Sequence, residues 1–160
     1  MESLLAAELQ SLGAESVTEK RAGVAFRGPL SCAYRACLWS RIANRILLVL
    51  ARFPASTADE LYEGVRSIPW YEHLDAKNTI AVEFHSSRSA ITHTHYGALR
   101  VKDAVVDQLR ERTGSRPSVL TTRPDIRINA YLLKDEATIS LDLSGDSLHR
   151  RGYREEGLSA

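Results

Sequence analysis

Little in this sequence could be cross-linked, inserted into a bilayer or built around a metal. Only two cysteines, Cys32 and Cys37, occur in 160 residues. Their spacing is not C-x-x-C, and no second pair is present to complete a zinc site. On a helix they are poorly placed to bridge each other, so they read as small buried residues, consistent with a reducing cytoplasm. No run approaches the roughly 18 apolar residues of a membrane-spanning helix. Met1 leads straight into an amphipathic segment, which is unlike a signal peptide. G-x-G-x-x-G and G-x-x-x-x-G-K-[ST] are absent, so no dinucleotide or P-loop cradle is visible. G-x-S-x-G and H-E-x-x-H are absent as well. Charge of one sign is also scarce, with a net +1. That figure hides an uneven spread: residues 1–84 carry nine Lys/Arg against ten Asp/Glu, and residues 85–154 carry twelve against eight. A basic excess of this size permits nucleic-acid binding without demanding it.

What the chain does have is periodicity. Ala98, Val101, Val105 and Leu109 recur at steps of three and four, which predicts a helix over residues 94–112 with one buried face. His93-Thr94-His95-Tyr96-Gly97 forms its entry. A helix start offers unpaired N–H groups and a partial positive charge, which suits a phosphate. The bland alternative is a packing helix with a solvated outer face. Leu5, Leu9 and Leu12 give an earlier helix, ended by Gly13. Two short strands follow, over residues 16–19 and 24–27. A helix from Pro29 is expected to bury Leu30, Tyr34, Leu38 and Ile42. Residues 45–53 hold six consecutive apolar residues, Ile46 to Ala51, expected to be a strand covered on both sides. Thr57-Ala58-Asp59-Glu60 is a capping-box pattern opening a helix that buries Leu61, Val65 and Ile68. Trp70 is expected to plug the joint between two halves of the chain. Residues 79–85 alternate as a strand, and 126–133 with 137–143 alternate as a hairpin.

No complete catalytic constellation is visible. His93, His95 and His85 could ligate a metal only with a matching carboxylate, and otherwise read as loop histidines. Asp142 and Asp146 flank a turn, where aspartate is common for its own hydrogen bonding. The basic groups are more suggestive. Arg88 and Lys102 stand near the start of the central helix, Arg123 lies before the hairpin, and Arg127 begins its outer face. Arg150, Arg151 and Arg154 close the chain. Gathered on one side, such groups would form a surface that reads phosphates.

Three segments carry a family likeness: Y-G-A-L-R-V-K-D-A-V-V-D-Q-L from Tyr96, P-D-I-R-I-N from Pro124, and I-S-L-D-L-S-G-D-S-L-H-R-R-G-Y-R from Ile139. They resemble the THUMP region of bacterial 23S ribosomal RNA guanine-N2 methyltransferases of the RlmL (RlmKL) type. Leu38-Trp39-Ser40-Arg41 and Asn44-Arg45-Ile46 look like the ferredoxin-like part that precedes it. The resemblance implies an α/β (α+β) chain: an incomplete N-terminal ferredoxin-like subdomain over 1–53 with its first strand missing, then a THUMP RNA-binding domain over 54–154. Residues 155–160 would begin the linker to a methyltransferase domain absent here. By the same resemblance this chain methylates nothing alone. It presents ribosomal RNA to a catalytic domain in cis that uses S-adenosylmethionine, in the cytoplasm, with no membrane and no metal involved.

The expected RNA contacts are Arg88, His93, His95, Lys102, Arg123, Arg127, Arg150 and Arg151, with no catalytic residue among them. The competing expectations are a structural or protein-interaction domain, and the THUMP module of an enzyme that modifies transfer RNA.

Overall fold

A computed structural model describes residues 1–150. Contacts divide the chain into two units: Met1–Ile46 with the described residues from Asp146, and Leu47–Gly145. No helix among the described residues is long and apolar enough to cross a membrane.

The first unit runs α1 (Glu2–Ser11), β1 (Glu15–Lys20), β2 (Gly23–Arg27) and α2 (Leu30–Trp39), with β1 and β2 paired antiparallel. Gly13 follows α1 at φ +93, a conformation glycine adopts without strain. The buried face of α2 is not the expected one. Cys32 and Ala36 are fully buried, while Leu30, Tyr34, Leu38 and Trp39 are 48–68% exposed. Two small residues one turn apart let the helix approach closely, and the Cys32 thiol donates to the Leu12 carbonyl at 3.8 Å. Large side chains on that face would hold it off. After α2, the Glu8 carboxylate accepts from the Ser40 hydroxyl at 2.5 Å and the Arg41 N–H at 2.8 Å, fixing the turn. Later chain returns to this unit where the Leu148 N–H donates to the Asn44 carbonyl at 2.9 Å.

The second unit holds β3 (Leu47–Pro54), α3 (Ala58–Arg66), a 3-10 turn (Trp70–Glu72), β4 (Thr79–Ser87), α4 (Thr94–Thr113), β5 (Ser118–Val119), β6 (Ile126–Leu133) and β7 (Glu136–Asp142). Its mixed five-stranded sheet has the order β3-β7-β6-β4-β5. β4 runs parallel to β6 and β5, and the other pairs are antiparallel. The run beginning near residue 45 therefore pairs with β7 in this unit, although sequence order suggested the close of the first. It is also an edge strand, not one covered on both sides: Leu47 and Val49 are 41% and 46% exposed. An apolar run records composition and leaves unsaid how many neighbours cover it.

α3 and α4 pack on one face of this sheet. Leu61 and Val65 of α3, and Val101, Val105 and Leu109 of α4, join Ile80, Ile128, Leu132 and Ile139 of the strands in one core. The capping box forms as expected, with the Glu60 N–H donating to Thr57 Oγ1 at 3.2 Å and the Thr57 N–H returning to Glu60 Oε2 at 3.3 Å. Trp70 is fully buried within this core, and its indole N–H donates to the Val65 carbonyl at 2.8 Å. Gln108 of α4 accepts from the Trp70 N–H at 2.9 Å and donates to the Arg66 and Ile68 carbonyls. Near the start of α4, Gly97 lies so close to Phe84 that a Cβ there would meet the ring at 2.4 Å.

Candidate functional site

Strand direction decides where the expected contacts fall. β4 and β6 run parallel, so Ser87 and Leu133 share one end of the sheet and Ile80 and Ile126 lie towards the other. Arg88 directly follows β4, at φ +52. Five residues later His93 caps α4, with no side-chain hydrogen bond of its own, and His95 and Tyr96 lie in the first turn. Arg88, His93, His95 and Tyr96 are all exposed. This end of the sheet is held by a three-way junction on the β6–β7 turn. The Lys134 N–H donates to Ser87, the Ala55 N–H to the Asp135 carbonyl, and the Ala90 N–H to the Asp135 carboxylate. The segment carrying Arg88 is thus tied to the strand ends on both sides.

Arg123 does not join this group. It precedes Asp125, whose carboxylate accepts from the N–H and hydroxyl of Thr79 at 2.7 and 2.9 Å. Those bonds, the backbone one first, hold the Asp125 carboxyl below its ordinary value. Thr79 opens β4 and Arg88 follows its end, so the two arginines are separated by the nine-residue length of that strand, roughly 27 Å at about 3.3 Å per residue.

Arg127 is also placed differently from the expectation. Its Nη1 sits 2.8 Å from Glu83 Oε1, with the side chain only 18% exposed. A guanidinium held in that way has little left for a phosphate. Lys102 is half-buried on α4, with its Nζ 2.7 Å from Asp103 Oδ1. Arg150 belongs to the first unit and is exposed. Arg151 lies outside the described residues. A single surface gathering all these groups is therefore absent from the described part of the second unit. What remains is Arg88, His93 and His95 around the entry to α4.

Sequence reasoning missed a second set of groups. On the sheet face opposite α3 and α4, Arg52, Thr138, Tyr131 and His85 occupy matching register positions on β3, β7, β6 and β4. Arg52 and His85 are exposed, and Tyr131 is 41% exposed. Alternation alone could have placed each on an outer face, but the row exists only through the strand order. Elsewhere cations are engaged on the helices: Arg66 meets Glu111 at 2.6 Å, and Arg100 lies 4.6 Å from the Tyr62 ring centroid while reaching Asp59 at 3.0 Å. Among the described residues, no group of three His, Cys, Asp or Glu side chains is placed to hold a metal ion.

Residues 55–142 match the THUMP domain family, and residues 1–47 match the RlmL ferredoxin-like domain. The chain is 61% identical over 98% of its length to the ribosomal RNA large subunit methyltransferase K/L of Methylococcus capsulatus, covering 21% of that protein. It is 56% identical over its full length to the protein of the same name from Syntrophotalea carbinolica, covering 22%. The chain thus spans about a fifth of the length of these curated relatives. Among solved structures, a Listeria monocytogenes protein described as a predicted N6-adenine-specific DNA methylase superimposes with a TM-score of 0.87 at 30% identity. That match covers 99% of this chain and 41% of the other.

Proposed function

The chain belongs to the THUMP domain family, and on that premise we propose that it is the RNA-gripping part of a large-subunit ribosomal RNA methyltransferase. The observation that carries this reading is the 61% identity, over nearly the whole chain, to a protein of that name. The parent protein methylates a guanine N2 of 23S RNA in the cytoplasm, in a catalytic domain that follows on the same polypeptide and binds S-adenosylmethionine. This chain has no Gly-rich nucleoside cradle, so none of its residues is assigned to that cofactor. Its own task is to hold structured RNA for the catalytic part, chiefly through backbone phosphates and shape.

The entry to α4 is the centre of that grip. The open N–H groups of a 20-residue helix meet an anion there. The Arg88 guanidinium forks onto phosphate oxygens, and His93 and His95 donate hydrogen bonds, more strongly when protonated. Lys102, Arg123, Arg150 and Arg151 add longer-range attraction from elsewhere on the chain, and Arg127 contributes least because Glu83 holds it.

Titration of a 23S RNA hairpin into the protein at rising salt tests the reading. Displacement of counterions by several cationic contacts gives a steep loss of affinity between about 50 and 200 mM salt. Equal binding at both salts, or none at either, would overturn it in favour of a structural or protein-binding domain.

A further inference from the structure

The open face of the five-stranded sheet carries groups that the α4 entry does not use. Arg52, Thr138, Tyr131 and His85 lie side by side across four strands, each Cα in register with the next. At about 4.8 Å per strand the row runs for roughly 14 Å. None of the four side chains makes a hydrogen bond or ion pair among the described residues. The row contains a guanidinium, a hydroxyl, a phenol and an imidazole, and no carboxylate. On the flanking rows of the same face, the Glu83 charge is matched by Arg127 at 2.8 Å, whereas the Glu136 carboxylate stands exposed beside Thr138. Tyr131 stands two strands from Arg52, with its ring 41% exposed on the interior strand β6.

The geometry points to a second RNA-contacting surface here, a platform for a short single-stranded segment. It rests on the reading of this chain as an RNA-binding module and adds to it a different class of RNA. A base stacks on the Tyr131 ring, because every base offers a π-face and the contact asks for no particular sequence. The Arg52 guanidinium takes a neighbouring phosphate, and Thr138 and His85 supply hydrogen bonds along the strand. One ring stacks one base, and the rest of the row meets the adjoining nucleotides through polar groups. A duplex is too wide and presents no free base faces, so it stays with the α4 entry. The guanidinium and imidazole favour RNA over a protein partner, although Leu133 and Val49 stand exposed on the flanking rows of the same face.

The test uses the 160-residue chain and two probes: fluorescein-labelled oligouridine of about ten nucleotides, and a blunt RNA hairpin. Tyr131→Ala weakens oligouridine binding about tenfold, the size expected for one lost stack, and Tyr131→Phe restores it. Arg52→Gln reduces the magnitude of the oligouridine salt slope by about 0.7. Neither change alters hairpin binding. These side chains are exposed and make no internal bond, so the variants keep the parent's circular dichroism spectrum. If Tyr131→Ala leaves oligouridine binding intact while Arg88→Gln weakens hairpin binding, the platform is overturned and the α4 site stands. If the unaltered chain binds neither probe, both fall. A self-association that Tyr131→Ala abolishes, with RNA binding untouched, would mark the row as a contact between copies and would also overturn the proposal.

Discussion

Glu83 and Arg127 hold each other across the seam between two parallel strands, with a carboxylate oxygen 2.8 Å from a guanidinium nitrogen and both side chains largely covered. The pair removes from the sheet surface a cation that sequence position alone would assign to RNA. Arg127→Gln is expected to lower folding stability by about 1–2 kcal/mol, the usual worth of a charge-assisted hydrogen bond in a partly covered site. The slope of RNA affinity against salt should not move. Urea unfolding together with a salt titration separates the two effects.

Arg88 should behave in the opposite way. Its side chain is exposed and makes no hydrogen bond or ion pair among the described residues, so Arg88→Gln leaves stability within about 0.5 kcal/mol. RNA hairpin affinity falls across all sequences, and the salt slope loses about one unit. Fluorescence anisotropy at several salt concentrations measures both quantities.

Glu8 gives the first unit a pH dependence. Burial opposes its charged form, but hydrogen bonds from the Ser40 hydroxyl and from the Arg41 and Ile42 N–H groups outweigh it, and the carboxyl sits below the usual 4.5. A carboxyl lowered by folding stabilises the native state above its unfolded value. That stabilisation is lost as pH falls from about 4.5 through the lower folded value. Glu8→Gln is therefore less stable than the parent at pH 7, and the gap closes in acid below that range. Thermal melts of both proteins from neutral pH downward show the convergence.

Gly97→Ala tests the packing beneath the proposed grip. A methyl group would meet the Phe84 ring at 2.4 Å, so the helix or the ring must move. A cost of about 1–3 kcal/mol is expected for such overpacking, despite the better helix propensity of alanine. Paired replacement with Phe84→Leu should recover part of it, as a double-mutant cycle would reveal.

Much of this architecture is legible along the chain because its signals are local. The spacing of Val101, Val105 and Leu109 gives α4, Thr57 with Glu60 gives the start of α3, and the alternation from Ile126 to Leu141 gives the β6–β7 hairpin and its inner face. α2 misleads because Leu30, Tyr34 and Leu38 outweigh Cys32 and Ala36 on any hydrophobicity scale, whereas close approach favours the smaller pair. The candidate contacts mislead for a different reason. Arg123 and Arg88 part company because β6 runs parallel to β4, and the row from Arg52 to His85 comes together only because β7 and β6 lie between β3 and β4. Strand order is a property of pairings between residues far apart in sequence, and no short window contains it.

The junction at Asp135 has a practical consequence. Hairpin tips are ordinarily safe places to splice in a tag or a reporter. This tip receives N–H groups from Ala55 and Ala90 and sends its own neighbour's to Ser87, so an insertion there would unfasten three segments at once and loosen the support under Arg88. The exposed loop at Arg116, beyond the left-handed Gly114 that closes α4, is the better port for a label.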